Sequence, residues 1–304
     1  PSASSTASSG VGTSISSINS TNPNLAGLNN ANSINTSAPS TPNVVKKYYE
    51  QKYGTTTNMA GGPMSPMCNN MSPNSINTSM IDNNKICLIT GASSGIGFAI
   101  AKALHADNFK VIATARRLDK LTELRLDPND IFAGDLNLPD FQDSIVDYIF
   151  DKYGKCDFLF NCAGTLEVGT IEDIDIDKLT SMIRLNVETT FRLTYKILKR
   201  FKKQGFGHII NISSVLGTKV RPTAGGYAAT KFAIEALSEA LRMELTGTNI
   251  KISCIEPGLV MTELHNDWKV HPKESMNIHD PLTVDNIVDA LKFIINQPDH
   301  VRIP

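Results

Sequence analysis

Residues Lys85–Gly97 read KICLITGASSGIG. An apolar, β-branched run ends at Thr90 and passes directly into glycines at 91, 95 and 97. The run predicts a strand, and the residues after Gly95 open a helical pattern. In such a turn Gly91 permits the tight reversal. Gly95 allows an anionic ligand to approach the backbone, and Gly97 lets the new helix pack close to the sheet. Free N–H groups and the helix dipole at that point favour phosphate. Ser93, Ser94 and Ile96 lie in the same turn and join the three glycines as candidate phosphate-binding residues. A lone glycine cluster also serves ordinary strand-to-helix turns. Its place in the first unit of an alternating domain favours a dinucleotide.

The alternation continues outward. Strand-like runs KVIATA, IFAGDL, FLFNCAG, HIINISS and KISCIEPG are separated by helix-like segments. These include FAIAKALHAD, FQDSIVDYIFDKYG, LTSMIRLNVETTFRLTYKILKRFK and the stretch from Tyr227 to Leu245. The pattern predicts an α/β fold, a doubly wound parallel sheet with helices on both faces, over residues 82–304. Ligands of such sheets bind beyond the carboxyl ends of the strands. Residues 1–80 are dominated by Ser, Thr, Asn, Gly and Pro and are expected to form a disordered tail. Within it VVKKYYEQKYG is a candidate docking motif, and Thr41, Ser65 and Ser72 precede prolines as candidate phosphorylation sites.

A net charge of -1 gives no electrostatic reason to expect nucleic acid or an anionic membrane as partner. No run approaches the roughly 18 apolar residues of a membrane span. Cys68, Cys87, Cys156, Cys162 and Cys254 form no metal spacing and suit free thiols in a reducing, cytoplasmic setting. The chain begins at Pro1, so an upstream targeting segment stays open.

The end of the second strand bears on cofactor choice. A site for NAD(H) usually carries an acid about 20 residues after the glycines, to hold ribose hydroxyls. Here the sequence is Thr114-Ala115-Arg116-Arg117. A carboxylate would repel a 2′-phosphate, whereas a guanidinium binds one bidentately. The expectation is NADP(H) over NAD(H), with Arg116 the preferred contact and Arg117 beside it.

Tyr227 and Lys231 stand four residues apart at the head of a helix and so share a face. Ser213 and Ser214 end a strand just upstream. A free phenol has a pKa of about 10, and work near pH 7 needs a shift of about 4 kcal/mol. An ammonium about 4.5 Å away at an effective dielectric near 20 supplies roughly 3.7 kcal/mol. Tyr227 can thus exchange a proton with an alcohol or carbonyl oxygen that a serine hydroxyl orients. Taken singly, each residue has a plain reading as packing, solvated charge or cap. Together, downstream of a dinucleotide turn, they indicate hydride and proton transfer.

From about Lys85 onward the chain resembles the short-chain dehydrogenase/reductase family, in its branch of roughly 250-residue, Rossmann-like enzymes. The motifs are TGASSGIG, Asn161-Cys162-Ala163-Gly164, Asn186 in LNV, the NISS serines, Tyr227-Ala-Ala-Thr-Lys231, and Pro257-Gly258 followed by Thr262. The resemblance implies a catalytic tetrad of Asn186, Ser214, Tyr227 and Lys231. Ser214 is preferred to Ser213 for its family spacing from the tyrosine. It further implies that Tyr227, Lys231, Asn161, Ala163, Gly164, Pro257 and Gly258 belong to the cofactor site. Lys231 would hold the nicotinamide ribose, Asp135 the adenine side and Thr262 the carboxamide, while Asn186 would bind a relay water. Such enzymes are usually homodimers or homotetramers acting on small carbonyl or alcohol substrates.

Two departures stand out. Cys162 replaces a usual asparagine, with slight loosening expected. The chain stops at Pro304, where family members usually continue into a seventh, edge strand; were the C-terminus a truncation, an exposed sheet edge would result. Substrate specificity is expected in Leu259–Pro281, which holds His265, Trp268, His271 and His279 without a metal-ligand pattern. TELHNDW and NQPDHV resemble family members assigned to NADP-dependent oxidation of 3-hydroxy acids or related small alcohols, with steroid, retinoid and sugar substrates left open. The competing readings are a cofactor-binding sensor or scaffold, against which the intact tetrad speaks, and an epimerase or dehydratase, which usually has a different glycine spacing.

Overall fold

The computed structural model describes residues 85–304 except 267 and 269. The expected tail, its docking motif and its phosphorylation candidates lie outside the described residues. Strands β1 (Ile86–Thr90), β2 (Lys110–Ala115), β3 (Ile131–Ala133), β4 (Phe158–Asn161), β5 (Phe206–Ile212) and β6 (Asn249–Ile255) form one sheet. Helices α1 (Gly95–Ala106), α2 (Leu118–Thr122) and α3 (Pro139–Tyr153) alternate with the first strands. After β4 come α4 (Ile176–Ile183), α5 (Thr190–Gln204), α6 (Gly225–Glu244), α7 (Pro272–Ser275) and α8 (Val284–Ile295).

The sheet order is β3-β2-β1-β4-β5-β6, and every pairing is parallel. This is the expected doubly wound, Rossmann-like sheet. Parallel strands covered on both faces need apolar residues throughout, and β1 is buried along its whole length. Its side chains alternate between two cores. Cys87 and Ile89 pack in one with residues of α1 and α8, and Ile86 and Leu88 in the other with residues of α3, α5 and α6. Chain direction across the sheet reverses between β1 and β4, which opens a crevice at their carboxyl ends.

Three local outcomes differ from the sequence expectation. The third strand ends at Ala133 rather than Leu136, because Asp135 Oδ1 accepts from Asn137 N at 2.9 Å and turns the chain. The single helix expected from Leu179 to Lys202 is interrupted by a π-helical turn at Arg184–Thr189. The expected bare edge is also modified. Among the described residues no seventh strand forms, but Pro298–Ile303 lies against β6. There Arg302 donates to the carbonyls of Thr248 and Ile250, and Ser253 Oγ donates to Ile303 O at 2.5 Å. Side-chain bonds thus blunt part of the edge without a ladder.

Candidate functional site

Gly91 takes φ +66°, and a Cβ there would sit 2.8 Å from the backbone N and Cα of Ala163. The turn therefore needs both a left-handed residue and a bare one, which brings the ends of β1 and β4 together. A Cβ on Gly97 would come within 2.5 Å of Gly91 O, so α1 starts directly against the turn. Ser94 at the helix start is extended, and its side chain makes no capping bond. Intrahelical bonding cannot satisfy the first-turn N–H groups of α1, and they face a cleft of ≈ 770 Å³. Thr90 supplies a clip that the sequence motifs did not single out. Its Oγ1 accepts from the N–H groups of Cys162 and Ala163 at 3.0 and 3.1 Å.

The cleft is lined by Gly91, Ser93, Ser94, Gly95, Ile96, Gly97, Arg116, Arg117 and Asp135 on the side of the glycine turn. Ala163, Gly164, Ser214, Tyr227, Lys231, Pro257, Gly258 and Thr262 complete it. Two candidates do not reach it. Asn161 is buried, and its Nδ2 donates to Asn211 Oδ1 at 2.8 Å and Thr194 Oγ1 at 3.1 Å. Its side chain ties sheet to helix rather than facing a ligand. Asn186 lies in the π turn, where its amide clamps Thr165 through both backbone groups at 2.9 Å and also donates to Thr230 Oγ1. It holds the lining segment that follows Gly164. A wider turn costs regular helix bonding but lets one buried side chain reach sideways.

Lys231 and Tyr227 share one face of α6, with the ammonium 5.7 Å from the phenol ring centroid. Lys231 Nζ donates to Ile212 O at 2.8 Å, fixing it over the end of β5. Burial drags its pKa down to about 8. Burial also raises Tyr227 above the ordinary phenol value, against smaller downward pulls from a Ser214 hydrogen bond and the Arg221 charge. The expectation that Lys231 alone makes the phenol acidic near pH 7 therefore needs correction. Among the protein groups desolvation prevails, because both partners leave water together. Ser214 and Tyr227 line the cleft together, while among the described residues Ser213 Oγ is buried without a hydrogen-bond partner.

Arg117 donates to Ser93 O and Oγ and pairs with Glu263 at 3.0 Å. Arg116 is exposed at the same strand end. Thr262 packs against the turn, its Cγ2 3.2 Å from where a Gly95 Cβ would stand. Of the specificity segment, His265 lines the cleft and Trp268 packs edge-on to it, with ring centroids 5.5 Å apart. His271 is the next ring, 5.8 Å from His265, and His279 is exposed. No metal-binding cluster forms among the described residues. Nor, among them, is any helix long and apolar enough to cross a membrane.

Residues 85–273 match the family model described as short chain dehydrogenase. The chain belongs to the short-chain dehydrogenase family. An uncharacterized oxidoreductase of Staphylococcus haemolyticus is 33% identical over 225 residues, covering 73% of this chain and 95% of that protein. A closed-form serine dehydrogenase complexed with NADP+ superposes with a TM-score of 0.66 at 29% identity, covering 72% and 92% of the two chains. An alcohol dehydrogenase of Thermococcus sibiricus complexed with 5-hydroxy-NADP gives 0.62 at 27% identity, covering 72% and 93%. As a short-chain dehydrogenase the chain is an oxidoreductase of a family that binds nicotinamide cofactors, and its glycine turn lines the cleft.

Proposed function

We propose that this short-chain dehydrogenase interconverts a carbonyl and a secondary alcohol with NADP(H). The reading rests on one observation: Ser214, Tyr227 and Lys231 line the same cleft as the bare glycine turn and Arg116. The residues present fit the cofactor. Gly91 and Gly97 leave no room for a Cβ, the α1 amides offer phosphate donors, and an exposed guanidinium stands where an NAD site carries an acid. Arg116 would take the 2′-phosphate, Asp135 the adenine side, Lys231 the ribose hydroxyls and Thr262 the carboxamide. Similar solved structures hold NADP+ and 5-hydroxy-NADP, which favours the phosphorylated form.

Held by these residues, a reduced nicotinamide would supply hydride chemistry at the carbonyl carbon. The Ser214 hydroxyl orients the carbonyl oxygen, and the Tyr227 phenol donates the proton to it. A raised phenol pKa keeps that proton in place at neutral pH, which suits reduction. Lys231, close to the ring, offsets negative charge as the phenol ionises. Asn186 fixes the Thr165 segment beside the reacting groups. The test is NADPH consumption over aldehydes, ketones and oxo acids, paired with Tyr227→Phe. The variant should quench NADPH fluorescence as wild type does yet lose at least about a hundredfold in turnover. Equal turnover would overturn the assignment.

A further inference from the structure

Arg221 precedes α6 and lines the cleft together with Tyr227 and Ser214. It is near enough to Tyr227 and to His265 for its charge to pull both pKa values down. Among the described residues its Nε has no hydrogen-bond partner, and its Nη1 meets the Met276 Sδ at 2.7 Å in an exposed contact. A thioether is a weak acceptor and brings no charge. His265 Nδ1, also on the cleft, is likewise buried without a partner. Burial, then His271 and Arg221, hold that ring neutral at pH 7. Leu166, Leu185, Leu264 and Ile278 supply apolar lining in the same cleft.

Among the described residues, the two carboxylates lining the cleft are engaged elsewhere. Asp135 accepts from Asn137 N, and Glu263 pairs with Arg117. A part-buried guanidinium offers a planar carboxylate two parallel N–H donors, and a thioether cannot replace that charge-assisted pair. Ser214, Tyr227 and Lys231 thus share their cleft with a guanidinium.

We propose that Arg221 determines specificity by binding the carboxylate of an oxo-acid substrate whose carbonyl oxygen rests on Ser214 and Tyr227. His265 Nδ1 adds a second, neutral hydrogen bond to the same substrate. The inference rests on the carbonyl-reduction reading and names its substrate class. In the reaction the carbonyl π bond breaks, a C–H bond forms with the hydride of the reduced nicotinamide cofactor, and an O–H bond forms with the Tyr227 proton. The products are the hydroxy acid and the oxidised cofactor.

The experiment compares kcat/KM for short alpha-, beta- and gamma-oxo acids with that for their methyl esters, in wild type and Arg221→Gln. Wild type should prefer at least one acid over its ester by about tenfold or more. Arg221→Gln should raise KM for that acid by about tenfold to a hundredfold and leave the ester's KM nearly unchanged, any change in kcat from the lost charge near Tyr227 being common to both. Arg221→Lys, which keeps charge but not the planar fork, should fall between. NADPH fluorescence titration reports whether each variant is folded. The affinity of an unreactive hydroxy-acid methyl ether for the NADP+-loaded protein gives a readout without turnover, and it should drop in Arg221→Gln. If esters are reduced but acids are not preferred, or if the variant affects both alike, the Arg221 assignment is overturned while carbonyl reduction stands. If neither acids nor esters are reduced while an aldehyde or ketone is, the substrate class falls and carbonyl reduction stands; if no carbonyl compound is reduced, the proposed function falls with it.

Discussion

Arg117 and Glu263 form an ion pair of 3.0 Å that joins the end of β2 to the segment after β6. The same guanidinium bonds Ser93 in the glycine turn, so a single side chain links the phosphate turn to the loop that carries Thr262 and His265. Both members of the pair are about half exposed, at 45% and 50%. Such a pair contributes only about 0–1 kcal/mol, little enough for a phosphate to compete with.

Arg116→Ala should therefore weaken NADPH binding by about tenfold to a hundredfold, as expected for a lost charge-assisted contact, and change NADH little. Glu263→Gln frees Arg117 and removes a carboxylate near the phosphate, so NADPH should bind a few-fold more tightly. Fluorescence titration with both cofactors measures each. Equal losses for NADPH and NADH in Arg116→Ala would contradict the assignment of that residue to the 2′-phosphate.

Lys231 titrates near 8, so its ammonium is present below that pH and lost above it. The rate of carbonyl reduction should fall as pH rises through about 8. Arg stays charged over this range, so Lys231→Arg should move the limb upward if it still binds cofactor. Stability carries the opposite sign. The folded pKa lies below the ordinary 10.5, so burying the charge costs stability at neutral pH, and that cost fades between about 8 and 10.5. Lys231→Met should raise the urea midpoint at pH 7, with the gain shrinking toward pH 10.

His208 is buried, with Nε2 2.9 Å from Ser253 Oγ, and burial, then Lys251 and Arg302, drive its pKa down to about 3. The unfolded chain takes a proton near 6.5 that the folded chain refuses. The stability linked to this group is complete above 6.5 and declines as pH falls toward 3. His208→Gln should flatten that part of the curve. Denaturation midpoints at pH 7 and pH 4.5 would show it, and parallel loss in variant and wild type would refute it.

Gly91→Ala faces both a left-handed φ and a backbone contact at 2.8 Å, whereas Gly154→Ala meets φ +71° with nothing within 4 Å. The Gly154 variant should lose about 1 kcal/mol of stability, from backbone conformation alone. The Gly91 variant should lose more, and its cofactor affinity with it. Equal denaturation midpoints for the two would mean that the approach of β1 to Ala163 is unimportant.

The alternation of apolar strands and amphipathic helices, the glycine turn and the four-residue step from Tyr227 to Lys231 were all legible in the sequence, because period and steric permission are local properties of a chain. The π turn at Asn186 was not, since it answers to Thr165 and Thr230, far away along the chain. Nor was the withdrawal of Asn161 into bonds with Thr194 and Asn211. Spacing alone suggested that an ammonium would acidify the phenol. Tertiary packing decided otherwise, since burial acts on Tyr227 and Lys231 together and depends on everything that encloses them. By itself the sequence determined the doubly wound sheet and which residues approach its crevice. Which neighbour each of them meets, Glu263 for Arg117 and Met276 for Arg221, only the folded chain decides, because it brings side chains together from distant segments.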